Sequence, residues 1–296
     1  MTQEARAHLD RPLLDALGLD LDAAQRVTYV LRQRFRYDYD GPAYRLEHRL
    51  VVVPRARHGS LRRRLHSVEV SVPDARVRHR RDAYGNVVVQ VGVDVVPASI
   101  EFGVTAVVER TGPRADAWLP ASALSDQRLL RATRLTAADE AIRDMAADVR
   151  AESADHLEFA ERCCARVHAA IRYEFGITSH STTAAQALAG ARGVCQDHAH
   201  VALAVCRAAG VPARYISGHL LGDSGTHAWL EVIVPDGDRA RGVAFDPCNG
   251  CRAGSRHLPV AAGRDYADVA PTSGRFAGDG RGLLFADKQL GVTFAA

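Results

Sequence analysis

Cys195, His227 and Asp246 follow one another in the segments Gly-Val-Cys-Gln-Asp-His-Ala-His, Thr-His-Ala-Trp-Leu-Glu-Val and Val-Ala-Phe-Asp-Pro-Cys-Asn-Gly. A thiol, an imidazole and a carboxylate are the parts of nucleophilic acyl transfer. The thiolate attacks, the imidazole holds its proton, and the carboxylate orients the imidazole. Local pattern presents each group. Cys195 follows Gly193 and opens an apolar helix, where the positive helix end favours a thiolate. His227 begins one predicted strand and Asp246 ends the next, so a hairpin makes them neighbours.

The elements that must position these groups fall into four parts. Residues 1–26 read as a helical extension, with Leu13, Leu14, Leu17 and Leu19 as an apolar strip. Residues 27–110 form a β-rich domain. Its strand candidates are 27–31, 48–53, 65–72, 86–91 and 100–108, with turns at Pro73-Asp74 and Tyr84-Gly85-Asn86. That spacing predicts an antiparallel sheet or a sandwich. Residues 111–135 are a linker containing Gly112-Pro113 and Trp118-Leu119-Pro120. Residues 136–296 form an α+β domain with a C-terminal tail. Helical periodicity runs from Thr136 to Ala170, opened by a capping-box-like Thr136-Ala137-Ala138-Asp139, and a short capped helix covers 181–189. The Cys195 helix runs to Ala209 and stops at Gly210-Val211-Pro212, and three strands follow at 213–218, 227–234 and 242–246.

Composition narrows the class. A chain of 296 residues with 47% hydrophobic content can bury a full core. The net charge is only +3, and Lys288 is the single lysine among 38 basic residues. Arg62-Arg63-Arg64 and Arg78-His79-Arg80-Arg81 are expected as solvated strand edges and loops, because acids are interspersed and no aromatic platform accompanies them. No nucleic-acid partner is expected. The charged residues among the first twenty-two fit neither a signal peptide nor a membrane span, so the expectation is a cytoplasmic protein with reduced thiols and no membrane partner. Cys163, Cys164 and Cys206 lie in helical stretches. Cys248-x-x-Cys251 has His257 nearby but no fourth zinc ligand, so these are expected to be turn cysteines. His198 and His200 point to different helix faces, which disfavours a metal site with Cys195. Asp197 is expected to support the helix start.

The second half resembles the transglutaminase-like superfamily, in particular its bacterial branch described as candidate cysteine proteases. The resemblance rests on Ile171-Arg172-Tyr173, Arg192-Gly193-Val194-Cys195-Gln196-Asp197, Gly210-Val211-Pro212, Thr226-His227-Ala228-Trp229, Phe245-Asp246-Pro247 and the tail Gly263 to Pro271. Phe35-Arg36-Tyr37-Asp38 and Asp82-Ala83-Tyr84-Gly85-Asn86 resemble the β-rich N-terminal domain of that branch. Residues 1–26 lie outside the likeness. The resemblance implies a papain-like fold and carries a catalytic triad onto Cys195, His227 and Asp246. His198 departs from an aromatic residue common in the branch, and Cys248 from a hydroxyl or small residue.

Three functional classes follow. The first is a hydrolase of peptide or other amide bonds working through a Cys195 thioester. The second is a transglutaminase or amide-forming acyltransferase that passes the acyl group to an amine. The third is a non-catalytic interaction protein on the same fold, which the complete triad argues against. Expected partners are a peptide, protein or small acyl substrate, with a homo-oligomer as a further possibility. No cofactor or metal is expected, since no acidic loop has calcium-ligand spacing. One oxyanion donor is expected at the Cys195 backbone N–H, while the second is not identified by the sequence. The β-rich domain is expected to restrict substrates or make dimer contacts.

Overall fold

Strand Arg26–Tyr39 is the organising element of the first half. It pairs antiparallel with Ser99–Thr111 on one side and with Gly282–Ala295 on the other. The sheet continues through Leu61–Val70 to Arg57–His58. A second sheet has the order Thr272–Ala277, Ala43–Val53, Val87–Val96, Arg76–Arg81. Period-two alternation sends Leu46, Leu50, Val89, Val91 and Val93 inward to meet Phe35, Ile100, Phe102 and Val104 of the first sheet. The two faces close as a β-sandwich. This computed structural model describes residues 3–112 and 116–296, without the side chains of Gln3 and Leu17.

Two expectations are corrected here. The first concerns residues 1–26, which are not one helix. They hold a short helix, Gln3–Ala7, and a single turn, Ala16–Gly18. Leu14 instead forms a β-bridge with Val292, and Leu13 packs over Gly291. Pro12 removes a backbone donor from the middle of the segment, which makes a continuous helix costly. Leu17 lies outside the described side chains. The second concerns the tail. Residues 272–277 and 282–295 hydrogen-bond into the two sandwich sheets rather than closing the second half. The N-terminal sandwich is therefore completed by the last residues of the chain.

The second half packs helices on one face of a five-strand path. Its order is Cys251–Arg252, Arg239–Asp246, His227–Asp236, Ala213–Leu220, His257–Gly263. The Cys195–Ala208 helix is buried on all sides from Asp197 to Arg207, with Val201, Leu203, Val205 and Cys206 fully enclosed. Such a helix must be surrounded. Helices Glu140–Ala151, His156–Ala170 and Ala184–Gly190 pack around it, and the His227–Asp236 strand lies beneath. The helical periodicity read over 136–170 is thus realised as two helices separated by a turn. Asp139 caps the first part by accepting from Ile142 N–H at 3.0 Å, and Asp155 caps the second. Thr136, expected as the cap, is buried elsewhere.

The expected linker is built into the second half. Ala117–Pro120 adds a short strand against Arg239–Gly242, and Gln127–Leu130 forms a helix capped by Asp126. Buried Arg207 fastens this stretch. Its guanidinium donates to the carbonyls of Leu129, Ala213 and Arg264 and to the Thr136 hydroxyl. Burial lowers its pKa to about 10, yet it stays charged at neutral pH. Arg207→Ala leaves several buried acceptors without a donor and should destabilise the protein by about 3 kcal/mol. Urea denaturation measures this, and an unchanged midpoint would contradict the fastening role.

Candidate active site

The Cys195 helix begins with a tightly built turn. The Asp197 carboxylate accepts the Val194 N–H at 2.8 Å and the Thr178 hydroxyl at 2.7 Å. A Cβ on Gly193 would stand 2.6 Å from the Asp197 side chain, so only glycine lets the chain pass this close. This is the physical content of the Gly-Val-Cys-x-Asp pattern, and it gives Asp197 the helix-start role expected of it. Burial raises the Asp197 pKa, against the opposing pull of its Thr178 and Val194 hydrogen bonds.

His227 opens its strand opposite Gly218, and Asp246 ends the neighbouring strand. His227 Nε2 lies 2.7 Å from Asp246 Oδ2. The other ring nitrogen is left for Cys195, which lines the same cleft and whose sulfur acts on the imidazole electrostatically. The three residues picked from the sequence therefore form one chain of contacts. They open onto a cleft of about 800 Å³ whose walls include Tyr173, Phe175, Gln196, Tyr215, Cys248 and Tyr266. Phe175 at its lip is 84% exposed.

Asp246 holds more partners than the sequence reading provided. His257 Nε2 lies 2.9 Å from the same Oδ2, and Asn249 Nδ2 donates to it at 2.7 Å. Oδ1 accepts the backbone N–H groups of Cys248 at 3.0 Å and Asn249 at 3.2 Å. The Gly254 N–H donates to His257 Nδ1 at 3.0 Å, which places the His257 proton on Nε2, facing the carboxylate. Trp229 fills the space behind, tilted 6.0 Å from the His227 ring and edge-on 5.3 Å from His257. Gly218 makes room for it, since a Cβ there would meet the indole at 2.5 Å. Asn249 belongs to the Asp-Pro-Cys-Asn-Gly turn and has a local signal. His257 arrives from the next strand and has none.

Electrostatics follow from these contacts. Burial disfavours a charged His227, but hydrogen bonds and charge from Asp246 and Cys195 outweigh it and raise the pKa to about 10. Burial likewise penalises the Asp246 charge, and its histidine and asparagine donors reverse the penalty, holding it far below the usual carboxylate range. Among the described residues His227, Asp246 and His257 are the cluster close enough to share a cation, with ligand atoms within 4.8 Å. One carboxylate oxygen already takes three hydrogen bonds and the His257 tautomer presents a proton, so the donor set fits hydrogen bonding rather than metal binding. His198 and His200 do not converge on Cys195. His198 lies between the carbonyls of Val194 and Ile171, and His200 accepts the Tyr266 N–H. Cys248 lines the cleft, whereas Cys251 is exposed on a strand.

The raised His227 pKa carries a stability consequence. Its folded value lies above the unfolded value of about 6.5, so the stabilisation is fully present below that pH. It is lost as pH rises through about 10. Imidazole NMR should show His227 titrating near pH 10 in the wild type. Asp246→Asn should bring that titration down toward or below about 6.5, with the stability gap between the two proteins closing at alkaline pH. A wild-type midpoint near neutrality would contradict the assigned ion pair.

Residues 143–247 match the Transglutaminase-like superfamily, and residues 29–109 match the Bacterial transglutaminase-like N-terminal region. An uncharacterized protein of Mycobacterium tuberculosis H37Rv is 29% identical over 308 aligned positions, covering 94% of this chain and 93% of its own. An uncharacterized Mycobacterium leprae protein is 34% identical over a shorter stretch, 40% of this chain and 43% of its own. The crystal structure of a candidate cysteine protease from Cytophaga hutchinsonii superposes with a TM-score of 0.72 at 19% identity, covering 90% of this chain and 91% of that one. This likeness gives the fold, a papain-like α+β core preceded by a β-rich region. Among the described residues no helix is long and apolar enough to cross a membrane. The chain belongs to the transglutaminase-like superfamily, with residues 143–247 as its core and residues 29–109 as a bacterial transglutaminase-like N-terminal region.

Proposed function

We propose that the protein is a cysteine-dependent acyl-transfer enzyme that hydrolyses a peptide or other amide bond. The observation that carries this reading is the Asp246–His227 hydrogen bond, with Cys195 beside it at the head of its helix, opening into a cleft of about 800 Å³. Family membership supports a cysteine-dependent enzyme at the coarser level.

In the proposed reaction Cys195 sulfur attacks the acyl carbon, a C–S bond forms, and the carbonyl electron pair moves to oxygen. The Cys195 and Gln196 backbone N–H groups precede the first helical donor, Asp197 N–H, and stand at the positive helix end where an oxyanion would form. Gln196 N–H is thus the second donor we assign. The tetrahedral adduct collapses as His227 gives its proton to the leaving amine, and a thioester remains on Cys195. Water attacks the thioester and His227 takes one of its protons; the C–S bond then breaks to restore the thiolate, and the carboxylic acid leaves and gives its remaining proton to solvent. Asp246 keeps Nε2 protonated throughout, so the nitrogen toward Cys195 is the one that cycles. An amine that reaches the thioester first would give the transglutaminase outcome from the same residues. A cytoplasmic setting, in which cysteines stay reduced, goes with the proposed enzyme.

Iodoacetamide labelling at about pH 6 with peptide mapping tests the reading. An ordinary thiol near ~8.5 is almost wholly protonated there. Exposed Cys251 serves as an internal reference, and Cys248 is held back because burial, then the nearby Cys195 and Asp246 charges, raise its pKa. Cys195 should alkylate at least tenfold faster than Cys251, and His227→Ala should bring the two rates within a few-fold. Equal rates in the wild type would refute an activated nucleophile. With a labelled Cys195 in hand, products separate the two outcomes: new termini report hydrolysis, and isopeptide links report amine transfer.

A further inference from the structure

The sandwich carries a second cavity, also about 800 Å³, on the outward face of its four-stranded sheet. Six arginines line it: Arg45, Arg49, Arg76, Arg78, Arg80 and Arg275. Only two carboxylates accompany them, Glu47 bound to Arg275 and Asp94 bound to Arg76. The groove thus has an excess of four positive charges, more than the +3 of the entire chain. The rest of the molecule is slightly acidic, so the basic character is concentrated here.

The backbone builds this surface. Strand alternation puts Arg76, Arg78 and Arg80 on one face of the edge strand, across from Gly92, Gln90 and Val88 of its neighbour. Glycine at position 92 leaves a low floor, flanked by Arg76 on one side and Glu47 on the other. On the next strand the register shifts opposite Arg275 and Ala277, and Arg45 takes a left-handed φ of 50°. Tyr44 and Arg45 are consequently both exposed: the shift turns Tyr44 out, while Arg45 keeps the outward face it shares with Glu47 and Arg49. A non-glycine residue held in this conformation costs about 1 kcal/mol.

The same sheet face leads toward the catalytic half. Val51 and Val88, further along it, belong to the core built around the Cys195 helix. Val51 N–H donates to the Pro271 carbonyl at 2.9 Å, and Pro271 lines the catalytic cleft. Ser273, two residues on, lines the arginine groove, a strand separation of roughly 7 Å. An extended chain covers that distance in about two residues.

We propose that this groove docks an acidic segment of a polypeptide substrate whose reacting bond lies in the cleft. Guanidinium forks match carboxylates in pairs. The groove walls offer no exposed aromatic ring on which a base could stack, which favours an acidic peptide over single-stranded nucleic acid. Describing the occupant as substrate rests on the acyl-transfer reading; its binding does not.

The test is fluorescence anisotropy with a labelled twelve-residue peptide rich in Glu and Asp, using the full chain carrying Cys195→Ser. A neutral peptide of equal length and a single-stranded oligonucleotide are the comparison probes. The acidic peptide should bind more tightly than both, weaken with salt, and lose at least tenfold in affinity in Arg78→Glu and in Arg45→Gly. Arg45→Gly should leave the melting temperature unchanged or raised, because glycine accepts the left-handed φ, so lost binding there cannot be assigned to unfolding. With Cys195 restored in the same two variants, its iodoacetamide reactivity should stay at the wild-type rate. Binding no tighter than the neutral peptide, binding indifferent to both substitutions, or preference for the oligonucleotide would each overturn the proposal. Failure of Cys195 labelling alone would instead strike the acyl-transfer reading and, with it, the substrate part of this one.

Discussion

The buried carboxylate of Asp246 is the constraint on which the site depends. A charge removed from water is costly unless its lone pairs are answered, and here five hydrogen bonds answer them. Those donors come from the start of the His227 strand, from the turn after Asp246 and from the His257 strand. Satisfying one carboxylate therefore brings three segments into register. His227 is left with one nitrogen committed to Asp246 and the other turned toward Cys195. Trp229, admitted by Gly218, fills the space behind the pair and keeps it dry, which strengthens each contact.

The two halves are joined by chain topology as well as by contact. Residues 282–295 form the strand beside Arg26–Tyr39, and residues 272–277 complete the second sandwich sheet. The sandwich cannot close without residues 272–295, which follow the transglutaminase-like core in the chain. An ion pair strengthens this union. Glu231, on the strand opened by His227, is buried with Arg214 Nε at 2.7 Å and with His58 of the sandwich at 2.5 Å. Burial opposes the Glu231 charge, yet Arg214 and His58 more than offset it, so the carboxyl is held below its ordinary range. The sandwich is thus anchored to the strand that carries the histidine.

Local chemistry was legible where it is written within a few residues. The Cys195 helix, its glycine stop and the three strands after it follow from periodicity and breakers, and the structure places them within a few residues of those bounds. Helix starts were less legible. Thr136 and Asp139 are both reasonable caps by composition, and the choice of Asp139 depends on Arg207 drawing Thr136 into the interior. The N-terminal leucines looked like a helix strip because spacing alone does not reveal a β-bridge to Val292 nearly three hundred residues away.

The sequence by itself determined the chemical parts of the site: a thiol at a helix start after Gly193, a histidine opening a strand and an aspartate closing the next. Each is specified by neighbours along the chain, through steric need, capping and strand period. Only the tertiary structure decided that His257 would share Asp246 with His227, that the C-terminal strands would complete the N-terminal sandwich, and that scattered arginines would gather in one groove. Those outcomes rest on contacts between different strands and segments rather than along one of them. Burial and sheet register select them, and no local pattern encodes either.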